Sequence, residues 1–353
     1  MLSHLKGLVK YTLIACLTIL GIEVIGNLFF LNNSYFWNHR YLFISKGAYR
    51  HIDSGLFTYQ PDMNVVSAAV YGLPSSSYFW LEYKCQFKTN EQGLISTGLP
   101  ELGKPTILVL GDSFTEGHGG CPWLTENRKS HFKANYINGG LQGTGIEQFK
   151  NLYDHLKREG VQIDSVIMIA ISNDFFRFPS ADWIKFNARC LEKLRCGRNN
   201  LWWGSTNFDT DALIQASKER AERKFFGWTL GQQTGFIIQK FSVTWRFLTL
   251  VWRTVTGGEG GLVKVPVSNQ RALKYFYDTY KNFRLILVPQ RDEVDLAGAN
   301  IQTLSVRNYL EKNKLAYSEC TLDGDDYMRI DGHPNAQGYA KVFDCLQMAA
   351  KPN

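Results

Sequence analysis

Residues 105–117 of the chain read PTILVLGDSFTEG, an apolar run that ends in a polar turn. Ile107 to Leu110 have the length and branched side chains of a buried strand, and Gly111 breaks the run before Ser113. The residues after Ser113 can open a helix. Because open α/β sheets bind ligands at the carboxyl ends of their strands, this turn would present the Ser113 hydroxyl and backbone N–H to a substrate. Asp and Ser are also ordinary turn and cap residues, so the stretch alone leaves a structural role open.

Two further apolar strands are each followed by a loop of polar or small residues. YINGGLQGTG, residues 136–145, precedes a helix predicted over Ile146 to Arg158, and Gly143 in this loop lets the backbone approach a ligand and present a free N–H. The loop lacks the Lys-Ser/Thr ending of a P-loop and a full dinucleotide fingerprint, so phosphate binding is not favoured. The strand at residues 165–171 is followed by Ser172 and Asn173, and the amide of Asn173 is either an oxyanion donor or a helix cap.

The C-terminal part contains a histidine with an acidic neighbour. A core strand at residues 283–288, a helix over residues 301–312 and a short strand near residues 315–320 lead to a loop with the sequence RIDGHPNAQG. Asp331 lies two residues before His333 in this loop. A lone histidine is more often structural, but a general base needs a group that fixes its tautomer and a segment that aims it.

Together the four blocks resemble those of the SGNH hydrolases, also called the GDSL family, from about residue 105 to residue 347 with an insertion left out. GDSFTEG resembles the first block and implies that Ser113 is the nucleophile. NGGLQG implies that Gly143 supplies an oxyanion amide, and ISND implies that Asn173 donates its side-chain amide to the same oxygen. DGHPNAQG implies that His333 is the base. The resemblance predicts a three-layer α/β/α sandwich with a mainly parallel sheet, and it requires neither a metal nor an organic cofactor.

One position departs from the family's pattern. The family commonly has an Asp three residues before the His, where this chain has Ile330. We expect Asp331 to orient His333, with Asp326 as the alternative. A Ser-His dyad, in which a backbone carbonyl holds the imidazole, is the third possibility.

The chain divides into three predicted parts: a membrane anchor at residues 1–34, a β-rich lead-in at residues 35–104, and a catalytic domain at residues 105–353 with an insertion at residues 175–265. The apolar segment at residues 8–30 is long enough to cross a bilayer, and Lys6 and Lys10 favour a cytoplasmic N-terminus with export of the remainder of the chain. Two alternatives are a lipobox ending at Cys16 and a cleaved signal peptide.

Cysteine and charge patterns bear on the compartment and the partners. Six cysteines follow Cys16, and in an exported domain they predict disulfides, with Cys190 and Cys196 as the expected local pair and buried free thiols as the alternative. Residues 181–256 contain twelve Lys and Arg against six Asp and Glu. No nucleic-acid-binding motif accompanies this basic stretch, so an anionic membrane surface or glycan is the better partner.

Residues 236–252 place aromatic and aliphatic side chains on one helical face, with basic residues interleaved. This helix either covers the sheet or rests on the membrane surface as an interfacial helix or lid.

Export, the tether and the resemblance lead us to expect a serine esterase or acyltransferase at the periplasmic or cell surface, acting on O-acetyl groups of an envelope carbohydrate. A lipid or lysophospholipid esterase is the first alternative. The second is a non-catalytic glycan-binding or assembly subunit that keeps the fold.

Overall fold

The computed structural model of the protein describes residues 39–52, 56–72, 78–118, 121–177, 202–226, 263–295, 300–328 and 331–350, together with residues 11, 17–19, 21, 230 and 231. The predicted interfacial helix at residues 236–252 and the expected Cys190–Cys196 pair lie outside these residues. So does the predicted anchor at residues 8–30, apart from five positions. Within the described ranges, no helix combines the length and the apolar character needed to cross a bilayer.

The strands and helices are numbered in chain order. The described strands are β1 (His39–Ser45), β2 (Tyr49–Ile52), β3 (Leu56–Tyr59), β4 (Asn64–Gly72), β5 (Phe79–Lys88), β6 (Thr106–Gly111), β7 (Asn135–Gly140), β8 (Ser165–Ala170), β9 (Trp202–Ser205), β10 (Arg284–Leu287) and β11 (Ser318–Glu319). The described α-helices are α1 (Ser113–Glu116), α2 (Ile146–Arg158), α3 (Thr210–Phe226), α4 (Val267–Thr279), α5 (Arg291–Asp295), α6 (Ile301–Lys312) and α7 (Ala336–Ala349).

The chain forms two compact units. The first comprises Met1–Arg40, Tyr71–Trp80 and Ile214–Gly261, and within it the ring of Tyr71 stacks on that of Trp80 with centroids 5.9 Å apart. The second comprises Tyr41–Val70, Leu81–Leu213 and Leu262–Asn353, and it contains all the candidate site residues predicted above.

A five-stranded sheet with the order β11-β10-β8-β6-β7 organises the second unit. Each neighbouring pair of strands in this sheet runs parallel, and Gly111 at the end of β6 lies opposite Gly140 on β7 and Ile169 on β8. The predicted α/β class and the parallel sheet are therefore confirmed. Parallel pairing brings the carboxyl ends of β6, β7 and β8 to one edge, where the three loops of the predicted site begin.

Side chains along the central strands point alternately to the two faces of the sheet, and each face carries its own part of the apolar core. Leu108 and Leu110 of β6 belong to one buried apolar cluster, together with side chains of α2, α4 and α6. Ile107 and Val109 belong to a second cluster, together with side chains of α7. Successive side chains of a strand point to opposite faces, so a strand covered on both faces reads as a continuous apolar run. Burying each such side chain stabilises the fold by about 1.5–3 kcal/mol.

The lead-in contains strands β1 to β5, which lie in two small sheets. Strands β5, β4, β1 and β9 form a four-stranded sheet in that order, and β2 pairs antiparallel with β3. Strand β9 comes from the predicted insertion, and residues 202–205 pair in parallel with residues 42–45 of β1. This pairing was not predicted from the sequence, because the two segments are far apart in the chain.

Two disulfides are present among the described residues. Cys85 of β5 is bonded to Cys121, and Cys320 after β11 is bonded to Cys345 of α7. The prediction of disulfides is confirmed for these four cysteines. Such bonds form and persist in oxidising, extracytoplasmic compartments.

Candidate active site

The turn after β6 carries Ser113 on the first residue of α1. Asp112 is the N-cap of this helix, and its side chain accepts a hydrogen bond from the backbone N–H of Phe114 at 2.9 Å. The cap satisfies an N–H group that the helix leaves unpaired, which explains why Asp precedes Ser in this turn. Ser113 is largely buried and lies at the carboxyl edge of the sheet.

A hydrogen-bonded chain joins Ser113 to the C-terminal loop. The Oγ of Ser113 lies 2.8 Å from the Nε2 of His333, and the Nδ1 of His333 lies 2.8 Å from the Oδ1 of Asp331. A carboxylate only accepts hydrogen bonds, so Asp331 places the imidazole proton on Nδ1. Nε2 is then the atom that accepts a proton from the Ser113 hydroxyl.

Asp326, the alternative orienting residue, has other partners. It is fully buried, and its Oδ2 accepts hydrogen bonds from the Nζ of Lys341 at 2.6 Å and the backbone N–H of Asp323 at 2.7 Å. The structure thus brings Asp331, and not Asp326, to the imidazole of His333.

Gly143 and Asn173 lie in the loops after the two strands that flank β6. Gly143 has a φ of 69°, a left-handed conformation that favours glycine. Leu141 of the same loop donates its backbone N–H to the Gly111 carbonyl at 3.1 Å, which ties the loop to the end of β6. Asn173 lies in a 3₁₀ helix, Ser172–Phe175, directly after β8. Both residues are therefore at the same sheet edge as Ser113.

Arg177 connects these three loops. Its NH1 group lies 2.7 Å from the Oδ2 of Asp112, 2.7 Å from the Oδ1 of Asp174 and 2.8 Å from the carbonyl of Thr144. These partners belong to the loops after β6, β8 and β7 respectively. Burial raises the pKa of Asp174 well above its ordinary value, repulsion from Asp112 adds to the rise, and Arg177 opposes it. Arg177 was not predicted from the sequence, because two of its three partners, Asp112 and Thr144, are distant in the chain.

Two rings, those of Phe114 and His118, contact the imidazole of His333. The ring centroids of Phe114 and His118 lie 5.0 Å and 4.8 Å from that of His333. The hydroxyl of Tyr83, on β5, lies 3.3 Å from the Nε2 of His118. His118 was not singled out from the sequence, although it lies five residues after Ser113.

His118, Asp331 and His333 present potential metal-ligand atoms within 4.8 Å of one another. The nitrogen and oxygen ligands of a tetrahedral zinc ion lie ~3.4 Å apart, given bond lengths of ~2.1 Å. Both ring nitrogens of His333 also hold hydrogen bonds, one with Ser113 and one with Asp331. The geometry therefore fits a proton-transfer chain better than a metal centre.

Glu116 is a buried carboxyl group on α1 that was also not predicted from the sequence. The hydroxyl of Tyr59 donates a hydrogen bond to its Oε1. Burial raises the pKa of Glu116 to about 7, although the hydrogen bond from Tyr59 and the backbone N–H of Gln142 lower it. Strand β3 of the lead-in thus contacts a residue of the helix that carries Ser113.

Comparison with known proteins finds no matching family model and no matching curated protein. Among solved structures, a lipase from a goat rumen metagenome has 12% identity and a TM-score of 0.31, covering 70% of this chain and 97% of its own. A carbohydrate esterase, described as having divergent catalytic and non-catalytic binding functions in its active site, has 15% identity and a TM-score of 0.34, covering 88% and 98%. An alpha/beta hydrolase enzyme from the metagenome of Lake Arreo, Spain, has 14% identity and a TM-score of 0.29, covering 70% and 94%. At these TM-scores the similarity carries no argument about function.

Proposed function

We propose that the protein is an extracytoplasmic serine ester hydrolase or acyltransferase of the SGNH type. The observation that carries the proposal is the chain from Ser113 through His333 to Asp331, with both links at 2.8 Å. A serine hydroxyl becomes a useful nucleophile when an adjacent base can take its proton and a third group orients that base. These three residues supply those roles.

In the proposed reaction, Ser113 attacks the carbonyl carbon of an ester while His333 takes the hydroxyl proton. A bond forms between the Ser113 oxygen and the carbonyl carbon, and the carbonyl oxygen becomes an oxyanion. The backbone N–H groups of Ser113 and Gly143 and the amide of Asn173 donate hydrogen bonds to this oxygen. Removing one such donor costs about 3–4 kcal/mol of transition-state stabilisation in comparable sites.

The tetrahedral intermediate then loses its alcohol, which takes the proton from His333 as the carbon–oxygen bond breaks. The acyl group remains on Ser113. Water resolves this acyl-enzyme in a hydrolase, and a sugar hydroxyl resolves it in a transferase. In either case His333 accepts a proton from the incoming group and returns it to the Ser113 oxygen, which leaves as the free hydroxyl when its bond to the acyl carbon breaks.

We propose O-acetyl groups of a cell-envelope carbohydrate as the substrate. The disulfides are typical of a protein outside the cytoplasm, and the predicted anchor at residues 8–30 would hold the enzyme beside the envelope. Lipid or lysophospholipid esters are the alternative substrates, and a non-catalytic glycan-binding or assembly role is the alternative from another class.

Turnover of p-nitrophenyl acetate by the purified full chain tests the proposed enzyme class. We expect hydrolysis by the wild type, loss of activity in Ser113→Ala, and normal activity in Ser165→Ala, which alters a serine at the opposite end of β8. Equal rates in the wild type and Ser113→Ala would refute the proposal that the protein is a serine esterase. Acetate release from O-acetylated envelope glycans, with and without free sugar acceptors, then separates hydrolysis from transfer, and lysophospholipid micelles test the alternative.

A further inference from the structure

Glu116 belongs to the helix that carries Ser113, and this helix packs against the end of β7, which leads into the loop that carries Gly143. It lies on α1, three residues after Ser113, and is 5% exposed. Its backbone N–H donates to the Asp112 carbonyl at 2.9 Å, which fixes it within the helix. Its side chain accepts a hydrogen bond from the hydroxyl of Tyr59, and the backbone N–H of Gln142 lowers its pKa.

Gln142 immediately precedes Gly143, so whatever holds the Gln142 amide also sets the position of the next one. Helix α1 and the end of β7 are in close contact at this point, because a Cβ on Gly140 would lie 2.2 Å from the backbone nitrogen of Glu116. The side-chain amide of Gln142 donates to the hydroxyl of Tyr49, whose ring stacks on that of Tyr59 with centroids 4.9 Å apart. The turn is thus held through the side chain of Gln142, and through its backbone by the Leu141 N–H, which donates to the Gly111 carbonyl at 3.1 Å.

We propose that Glu116 is a positioning residue whose ionised carboxylate holds the Gln142–Gly143 turn against α1, and so aligns the Gly143 amide with Ser113. This inference rests on the proposed function. A hydrogen bond that an ionised carboxylate accepts is about twice as strong as one between neutral groups. Protonation of Glu116 therefore loosens the turn, and the oxyanion loses part of its stabilisation.

The groups around Glu116 leave its carboxyl group with a pKa of about 7. Burial raises the pKa of Tyr59 and of Tyr49 well above 10, so both stay neutral. Burial also raises the pKa of Tyr339, and repulsion from Glu116 contributes to that rise. Asp112, whose charge raises the pKa of Glu116, is paired with Arg177. The Oε2 of Glu116 has no hydrogen-bond partner among the described residues.

The first test compares the pH dependence of p-nitrophenyl acetate turnover in the wild type and Glu116→Gln. We expect Glu116→Gln to lower kcat about tenfold at pH 8 with KM changed less than about twofold, and the two rates to converge near pH 5.5. Any pH dependence that the two proteins share cancels in their ratio. Glu159→Gln, which alters an exposed carboxylate, is the control and should match the wild type. A ratio that does not vary with pH, or a loss confined to KM, would overturn the proposal.

Tyr59→Phe is a second variant, and its expected effect differs from the uniform loss of activity that a disturbed fold would cause. It removes a hydrogen bond that lowers the pKa of Glu116, so the rise of kcat with pH should move to higher pH while the rate at its plateau is retained. An unshifted profile would contradict the proposed role of the carboxylate.

A measurement without turnover separates this inference from the proposed function. In the full chain labelled with [¹⁵N]glycine, the Gly143 signal is identified by its loss in Gly143→Ala. We expect its amide shift to titrate near pH 7 in the wild type and to stay constant in Glu116→Gln. If the protein is inactive but its Gly143 signal titrates, the proposed enzyme function is refuted, while the proposed link between Glu116 ionisation and the Gly143 amide is retained. If the protein is active but its Gly143 signal does not titrate, only the link between Glu116 and Gly143 is refuted.

Discussion

Asp331 and Asp326 lie five residues apart, yet only Asp331 contacts the imidazole of His333. We predict that Asp331→Asn lowers kcat by about 10⁴-fold, the size seen when a serine hydrolase loses the carboxylate that fixes its histidine tautomer. Asp326→Asn weakens the bonds to Lys341 and to the Asp323 amide, so it should lower the free energy of unfolding by about 1–3 kcal/mol. Esterase kinetics and urea unfolding of both variants test this. A larger kcat loss in Asp326→Asn would contradict the assignment.

The raised pKa of Glu116 also leads to a prediction of how the free energy of unfolding changes with pH. Its pKa is about 7 in the folded protein against an ordinary value of 4.5, so between these values the folded state binds more protons than the unfolded state. The wild type therefore loses stability relative to Glu116→Gln as pH rises from about 4.5 to above 7, by about 3 kcal/mol in total. Urea unfolding of both proteins at pH 5 and pH 8 measures this difference. A difference that stays constant or changes in the opposite direction would contradict the shift.

At the scale of residues, only some of the candidate site was predictable. Ser113 and His333 lie in short motifs whose spacing along the chain is visible, and Asp331 lies beside His333. Glu116 contacts Tyr59, which is distant in the chain, and Arg177 contacts two distant loops besides Asp174. A basic residue three positions after an acidic one does not by itself mark a site. A Glu three residues after the candidate nucleophile was at most a weak local signal.

At the scale of elements, Arg177 holds together the loops that follow β6, β7 and β8. We predict that Arg177→Ala destabilises the protein by about 3 kcal/mol, because it leaves the buried carboxylates of Asp112 and Asp174 facing each other. It should also lower kcat, because those loops carry the proposed catalytic groups. Lys274→Ala, which breaks the exposed pair with Asp278, is the matched control and should change neither quantity appreciably. Equal effects of the two substitutions would refute the role of Arg177.

Periodicity predicted several elements well. The bounds predicted for α2 and α6 are those observed, because each has apolar residues at helical spacing and clear ends. Helix α4 was missed, although Ala272, Leu273 and Phe276 are buried at helical spacing. The pairing of β9 with β1 was not predictable in this way, since hydrophobic pattern indicates a strand but not its distant partner.

At the scale of the whole molecule, the division into an anchor and an extracytoplasmic body remains a prediction. We expect the full chain to sediment with membranes after alkaline carbonate extraction, because residues 8–30 are long and apolar enough to span a bilayer. A chain beginning at residue 35 should be released. Extraction of the full chain by carbonate would contradict the anchor.

The same shortened chain tests the predicted interfacial helix at residues 236–252. Its flotation with anionic vesicles, but not with neutral ones, is the expected result, because basic residues are interleaved with the aromatic ones. If the shortened chain does not associate with anionic vesicles, the predicted membrane contact of residues 236–252 is wrong.

Covalent labelling of the folded full chain with a fluorophosphonate, followed by mass spectrometry of its peptides, tests the proposed catalytic site without knowledge of the substrate. Such a reagent reports an activated serine whatever the natural substrate is. We predict a single phosphonyl group on Ser113 in the wild type, much slower labelling in His333→Gln, and none in Ser113→Ala. Labelling on another residue, or no labelling of the folded wild type, would contradict the conclusion that Ser113, His333 and Asp331 form a nucleophilic catalytic site.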